Sequence, residues 1–161
     1  MSEIFTSYLH SPVGWLKLTT DAKFLLSVTF ENESGQISEI IPPVLQKSIE
    51  QLKEYFAGTR KDFDIELAPA GTDFQQRIWE LVKKVPLGKT ASYLDIAKDS
   101  GSDKNTRAVG LANGKNPIPI VIPCHRIVGT NGKLTGYAGG LERKRWLLLH
   151  EQRFSKSYLL F

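Results

Sequence analysis

The stretch from Ser92 to Lys115, SYLDIAKDSGSDKNTRAVGLANGK, decides the fold. Ser92 is placed to cap a short helix ending at Gly101, and Ser102 to cap a second helix through Lys115. Two short helices joined by a glycine-containing turn match a helix-turn-helix. The same pairing also occurs in bundles that bind nothing. The second helix carries Lys104, Arg107 and Lys115, with the small Ala108, Gly110 and Ala112 between them. Small residues permit close approach, either to another helix or to a nucleic-acid backbone.

Directly downstream, Pro117–Gly129 reads PIPIVIPCHRIVG and holds the chain's one cysteine. A lone cysteine is most often a small buried hydrophobe. Cys124, however, ends a β-branched run read as an apolar strand, and His125 and Arg126 follow it. A free thiol is only a few per cent ionised at neutral pH, so a nucleophilic cysteine needs a base, a cation or a helix amino terminus nearby. His125 is the candidate base. Adjacent residues of an extended segment face opposite ways, so contact goes through an irregular backbone or one water. Such a base needs an acceptor on its second ring nitrogen, and composition does not choose among the carboxylates. Asn116 is placed to turn the chain or brace the segment. Asn131-Gly132 reads as a tight hairpin, followed by a glycine-rich loop around Tyr137. The last helix, LERKRWLLLHE, is expected to bury Trp146, Leu148 and Leu149 and to end at Glu151.

Upstream, Thr72 and Gln75 are spaced as a capping box opening a helix with Phe74, Ile78, Trp79 and Val82 inward. Before the boundary near residue 70, Ile4–His10, Gly14–Thr20 and Lys23–Phe30 read as strands of an antiparallel meander. A helix closed by Gly58 places Val44, Leu45, Ile49, Leu52, Tyr55 and Phe56 on one face. Asp64–Ala68 reads as a strand returning to the sheet. The expected fold class is therefore α+β: a small amino-terminal antiparallel sheet with a helix over 1–70, then a mainly helical carboxy-terminal domain over 71–161 with a winged-helix-like helix-turn-helix.

Composition narrows the function. The chain has 161 residues, 41% hydrophobic and 24% charged, as in ordinary globular proteins. One cysteine excludes an internal disulfide and a cysteine-rich zinc site. It suits a reducing compartment. No secretory signal is read at the amino terminus, and no run is apolar enough to span a membrane. A net charge of +4 permits a polyanionic partner without demanding one.

Taken together, NPIPIVIPCHRIVGTNGKLTGYAGG, SYLDIA, TRAVGLANGKNP and KRWLLLHE resemble the O6-alkylguanine-DNA alkyltransferases, also called methylated-DNA–protein-cysteine methyltransferases. The strong motifs span about Phe74 to Glu151. The resemblance implies direct-reversal DNA repair: Cys124 takes the alkyl group from O6-methylguanine, and O4-methylthymine is a further candidate substrate. The transfer is irreversible and consumes the protein. By the same resemblance His125 deprotonates Cys124 through a water, Glu151 orients His125, Asn116 steadies the cysteine segment, and Tyr93 protonates N3 of the departing guanine. Substrate contacts are expected at Tyr93, Pro119, Ile127, Tyr137 and Ala138, with the Cys124 and Ile127 carbonyls accepting from the guanine amine. Ala138 stands where some members have serine. DNA contacts are expected at Arg107, Ser102, Ala108, Gly110 and Thr130, with Arg107 filling the place of a nucleotide flipped out of the minor groove. Arg126 is expected to brace the site. The resemblance further implies a ribonuclease-H-like first domain, no metal or cofactor, a cytoplasmic monomer, and possible cooperative binding along double-stranded DNA. Three other readings stay open: a lesion-binding relative without transfer, a Cys-His hydrolase or thioesterase, and a plain helix-turn-helix regulator.

Overall fold

The computed structural model describes residues 3–159 and divides into two compact units, 1–70 and 71–161. In the first unit, β1 (Phe5–Ser11), β2 (Gly14–Thr20) and β3 (Leu25–Glu31) form an antiparallel meander in that order. Alternation sets its inner face: Leu9, Leu16, Leu18, Leu25 and Val28 are buried, with Leu9 opposite Leu16. β3 starts later than expected because Asp21 Oδ1 accepts the Lys23 and Phe24 N–H groups, holding both in the turn.

Helix α1 (Pro43–Ala57) buries Leu45, Leu52 and Tyr55. Gly58 ends it at φ 78°, a left-handed conformation that glycine adopts without steric cost. Ser48 and Gln51 share the buried face, whereas Val44, Ile49 and Phe56 are only half-buried. The strand expected over Asp64–Ala68 shrinks to one parallel bridge between Leu67 and Leu25. Its N–H···O bonds, Leu25 to Glu66 and Ala68 to Leu25, find no continuation. Pro69 follows without an N–H, which ends the ladder.

The second unit opens with α2 (Asp73–Lys83), and its Thr72–Gln75 capping box forms as the spacing predicts. Ile78, Trp79 and Val82 are buried, Phe74 half so. β4 (Ala91–Ser92) leads into α3 (Tyr93–Asp99), where Ser92 and Asp95 make a second capping box. The single helix expected after Ser102 is broken. Ser102 instead caps a 3-10 turn, Asp103–Asn105, and α4 (Thr106–Gly114) begins only afterwards. Thr106 Oγ1 donates back to the Asp103 carbonyl at 2.7 Å and fixes that junction. Packed together, α3 and α4 make the helix-turn-helix.

Beyond Cys124, β5 (Ile127–Val128) pairs in parallel with β4, Ala91 opposite Ile127 and Ser92 opposite Val128. Asn131-Gly132 makes a turn but no two-stranded hairpin, because no strand follows it to pair with β5 among the described residues. The turn is held by the Gly129 N–H on the Lys133 carbonyl at 2.9 Å. Helix α5 (Leu141–Leu159) runs past the expected end at Glu151. Its inward face is Lys144, Leu147, Glu151 and Phe154, while Leu149 is 45% exposed, contrary to expectation. Spacings of three and four residues define that face.

Candidate active site

The site is built on a turn rather than the expected strand. Pro117, Pro119 and Pro123 lack N–H donors, so 117–123 cannot sustain a ladder. The segment folds back instead, with the Ile122 N–H on the Ile118 carbonyl at 2.9 Å and a bridge between Pro119 and Ile122. Ile120 sits at its apex with φ 76°, a conformation that strains a β-branched residue. Burial of Ile118, Ile120 and Ile122 at 0%, 0% and 1% exposure holds the turn in place. The apolar run therefore fills the core beneath Cys124. Pro119, expected on the substrate, is buried there with it.

Two asparagines secure this turn to the end of α4. Asn116 Nδ2 donates to the Ile122 carbonyl at 2.8 Å, and its Oδ1 accepts the Ile118 N–H at 2.9 Å. Asn113 Nδ2 donates to the Cys124 carbonyl at 3.2 Å. Trp79 Nε1 reaches the Ala112 carbonyl at 2.9 Å and ties the same end of α4 to α2.

Cys124 opens a 3-10 turn through Arg126 and is 5% exposed. Burial pushes its thiol up to about 11, against the pull of the Asn116 amide and the Lys144 charge. The resting thiol is therefore protonated at neutral pH and needs an acceptor to react. His125, fully buried, lies 2.6 Å through Nε2 from Glu151 Oε2. Burial also raises the Glu151 carboxyl, but His125 and Arg126 outweigh it and hold the group well below the usual carboxylate range. An ionised Glu151 only accepts, so the imidazole proton resides on Nε2 and the lone pair on Nδ1. Nδ1 is buried without a protein hydrogen-bond partner. Burial lowers the His125 pKa, partly offset by Glu151, which keeps the ring neutral and able to take a proton.

Arg126 braces this pair. Its Nε and Nη2 fork onto the two Glu151 oxygens at 2.8 and 3.1 Å, and Nη1 donates to the Val85 carbonyl at 2.7 Å. Lys144, which pattern reading missed, is fully buried and donates to the Ile127 and Thr135 carbonyls, both at 2.7 Å. Burial lowers it to about 8, partly offset by Cys124. Arg126 and Lys144 against Glu151 leave one surplus positive charge, which favours an anion at Cys124. Within LERKRW, Lys144 reads as part of a solvated basic face. Only its spacing of three from Leu147 and seven from Glu151 places it inward.

Tyr93, at the start of α3, donates its hydroxyl proton to the Thr135 carbonyl at 3.2 Å, with Lys144 Nζ 5.9 Å from its ring centre. Thr135 thus joins the glycine-rich loop to both groups. In that loop Tyr137 is half-buried and Ala138 exposed. The Ile127 carbonyl already accepts from Lys144, and the Cys124 carbonyl from Asn113 and the Ile127 N–H. Of the residues expected on DNA, Arg107 and Ala108 are exposed on α4, Thr130 is exposed, and Ser102 is half-buried at its cap. Gly110 is half-buried instead, and a methyl there would rest on the Tyr93 ring at 3.9 Å. Among the described residues no cluster of side chains is suited to holding a metal ion.

Comparison with known proteins agrees across both units. Residues 73–153 match the DNA-binding domain of 6-O-methylguanine DNA methyltransferase, and residues 4–69 match its ribonuclease-like domain. A Methanosarcina acetivorans methylated-DNA–protein-cysteine methyltransferase is 43% identical over 152 residues, covering 90% of this chain and 96% of its own. A Mycobacterium tuberculosis protein of the same name is 43% identical over 158 residues, covering 95% and 96%. The solved O6-methylguanine methyltransferase of M. tuberculosis superposes with a TM-score of 0.84 at 41% identity, over 94% of each chain. An M. tuberculosis relative solved in complex with DNA gives 0.82 at 44% identity, over 91% of this chain and 92% of its own. With both domains matched and relatives similar from end to end, the chain belongs to the methylated-DNA–protein-cysteine methyltransferase family.

Proposed function

We propose that this protein repairs O6-alkylguanine in DNA by moving the alkyl group irreversibly onto Cys124, one group per molecule. The observation that carries the residue assignment is the buried Cys124 beside a neutral His125 whose Nε2 is locked to Glu151, itself held by Arg126. The thiol proton passes to His125 Nδ1 through a water, and the sulfur attacks the alkyl carbon. A sulfur–carbon bond forms as the carbon–O6 bond breaks. Tyr93 turns its hydroxyl from Thr135 to guanine N3 and gives up its proton, so the base departs neutral. Asn116 holds the turn beneath the sulfur. The guanine amine shares the Ile127 carbonyl with Lys144 and displaces the Asn113 amide at Cys124. Pro119, Tyr137 and Ala138 shape the base site, and the Ala138 backbone N–H meets O6 in place of a serine hydroxyl.

The target carbon is reached once its nucleotide leaves the stack, at a cost of a few kcal/mol. In this reading α4 enters the minor groove, Arg107 fills the vacated place, and Ser102, Ala108, Gly110 and Thr130 line the approach. In this reading the protein works as a cytoplasmic monomer without metal or cofactor. Among the described residues no helix is long and apolar enough to cross a membrane.

The test is intact mass after incubation with a duplex carrying one O6-methylguanine. The expected result is one methyl group gained, mapped to Cys124 and saturating at one equivalent. Cys124→Ser should lose transfer and keep DNA binding. Transfer retained by Cys124→Ser overturns the nucleophile assignment, tight binding without mass gain leaves a lesion-recognition protein, and multiple turnovers on an ester support a hydrolase.

A further inference from the structure

The exposed face of α4 carries more than the chemistry above uses. Val109, Ala112 and Asn113 turn inward, whereas Arg107, Ala108, Leu111 and Gly114 are exposed. At 67%, Leu111 is the most exposed large apolar side chain among the described residues. Ala108 and Gly114, three residues to either side, are small, and a methyl built on Gly114 would meet nothing within 4 Å. Exposed Lys104 and Lys115 flank the helix at its two ends, Arg107 lies between them, and α4 itself contains no acid. The face is thus complementary to phosphate, yet it projects a branched hydrocarbon from its middle.

We propose that Leu111 is a further point of contact between α4 and the duplex, an apolar foot seated against the deoxyribose edges of the minor groove. This rests on the reading that α4 enters that groove. Four residues past Arg107, Leu111 lies on the same face about 6 Å further along the axis. That distance is under two base steps of roughly 3.4 Å each. With Arg107 in the vacated stack, Leu111 meets the sugar wall of the flanking nucleotides, where C–H groups replace water around its side chain. Minor-groove proteins also place apolar side chains in that groove, there as wedges between base steps.

An apolar contact and a phosphate contact differ in salt dependence. Neutralising a phosphate releases counterions and steepens the fall of affinity with salt, whereas burying hydrocarbon releases none. The experiment measures affinity for an O6-methylguanine duplex across salt concentrations, in a Cys124→Ser background so that nothing reacts. Leu111→Ala should weaken binding about fivefold at every salt with an unchanged slope. Leu111→Met should restore it. In the Cys124 protein, Leu111→Ala should slow single-turnover repair of duplex while leaving reaction with free O6-benzylguanine unaltered. Arg107→Ala is the control, expected to weaken binding by emptying the vacated place in the stack. If Leu111→Ala binds like its parent while Arg107→Ala does not, the foot is overturned and the groove reading stands. If neither variant weakens binding, the groove reading itself falls. A changed slope in Leu111→Ala also overturns the apolar contact.

Discussion

Replacing Glu151 by glutamine keeps the shape of the His125–Glu151–Arg126 network and removes its negative charge. The carboxylate accepts from His125 Nε2 and from two Arg126 nitrogens, with side-chain exposures of 8% for Arg126 and 1% for Glu151. A glutamine offers one acceptor oxygen, and its NH2 group turns a donor toward donors. Arg126 is left charged and buried, with the Val85 carbonyl and at most that one oxygen to satisfy it. Breaking such a pair from one side costs about 3–5 kcal/mol. At a urea dependence of roughly 2 kcal/mol per molar, the unfolding midpoint should drop by about 2 M. A Trp15→Phe background lets Trp79 and Trp146 report on residues 71–161 alone. Replacing both partners by apolar groups, Arg126→Met with Glu151→Leu, should lose less stability than Glu151→Gln alone, because no orphaned charge remains. A midpoint for Glu151→Gln within about 0.5 M of the parent, or a double variant worse than the single, would falsify the reasoning that Glu151 neutralises a buried cation.

Tyr93→Phe should slow the chemical step by about a hundredfold or more, the usual scale of a lost proton donor, with duplex affinity held. An unchanged single-turnover rate removes the assignment. Lys144→Met breaks the ties to the Ile127 and Thr135 carbonyls. Amide exchange over 134–140 should then quicken by about tenfold or more, as expected for losing charge-assisted bonds. Equal protection would show that the loop is held by something else. Lys144 also sets a pH dependence: folded it releases its proton near 8, unfolded near 10.5, so between those values the unfolded chain binds more protons and stability rises with pH. The Cys124 thiol, raised to about 11 by burial, acts in the opposite direction above 9.0. In Cys124→Ser, unfolding free energy should therefore climb by about 2 kcal/mol from pH 8 to 10. Adding Lys144→Met should abolish the climb, and a flat profile before that change contradicts a desolvated ammonium.

What was legible in the chain were features that act locally. The Thr72–Gln75 capping box, the Ser92 cap and the meander read correctly because a cap spans three residues and a strand pattern repeats every two. The proline-rich segment misled because Ile and Val favour strands wherever backbone donors are available, and three prolines remove them. Helix α5 was cut short at Glu151 because charged residues there look like a solvated end, although Phe154 continues the buried face. Glu151 entered the site through resemblance alone, since 26 residues separate it from His125. Lys144 escaped altogether: a lysine beside two arginines signals solvent, and its carbonyl partners appear only once the loop and β5 converge on it.

The two-residue ladder between β4 and β5 has a mechanical meaning. Tyr93 begins where β4 ends, and β5 begins directly after Arg126, so the proposed proton donor and nucleophile hang from opposite sides of one weld. Everything between them, including both helices of the helix-turn-helix, is an excursion that leaves the weld and returns to it. The spacing of donor and nucleophile is thus set by two backbone pairs, while the helices proposed to face DNA answer to it through Asn113, Asn116 and Trp79. Changes in the outer face of α3 or α4 can alter which duplexes are gripped without moving the chemistry. A disturbance of Ala91, Ser92, Ile127 or Val128 pulls the proposed donor and nucleophile apart even when both side chains are intact.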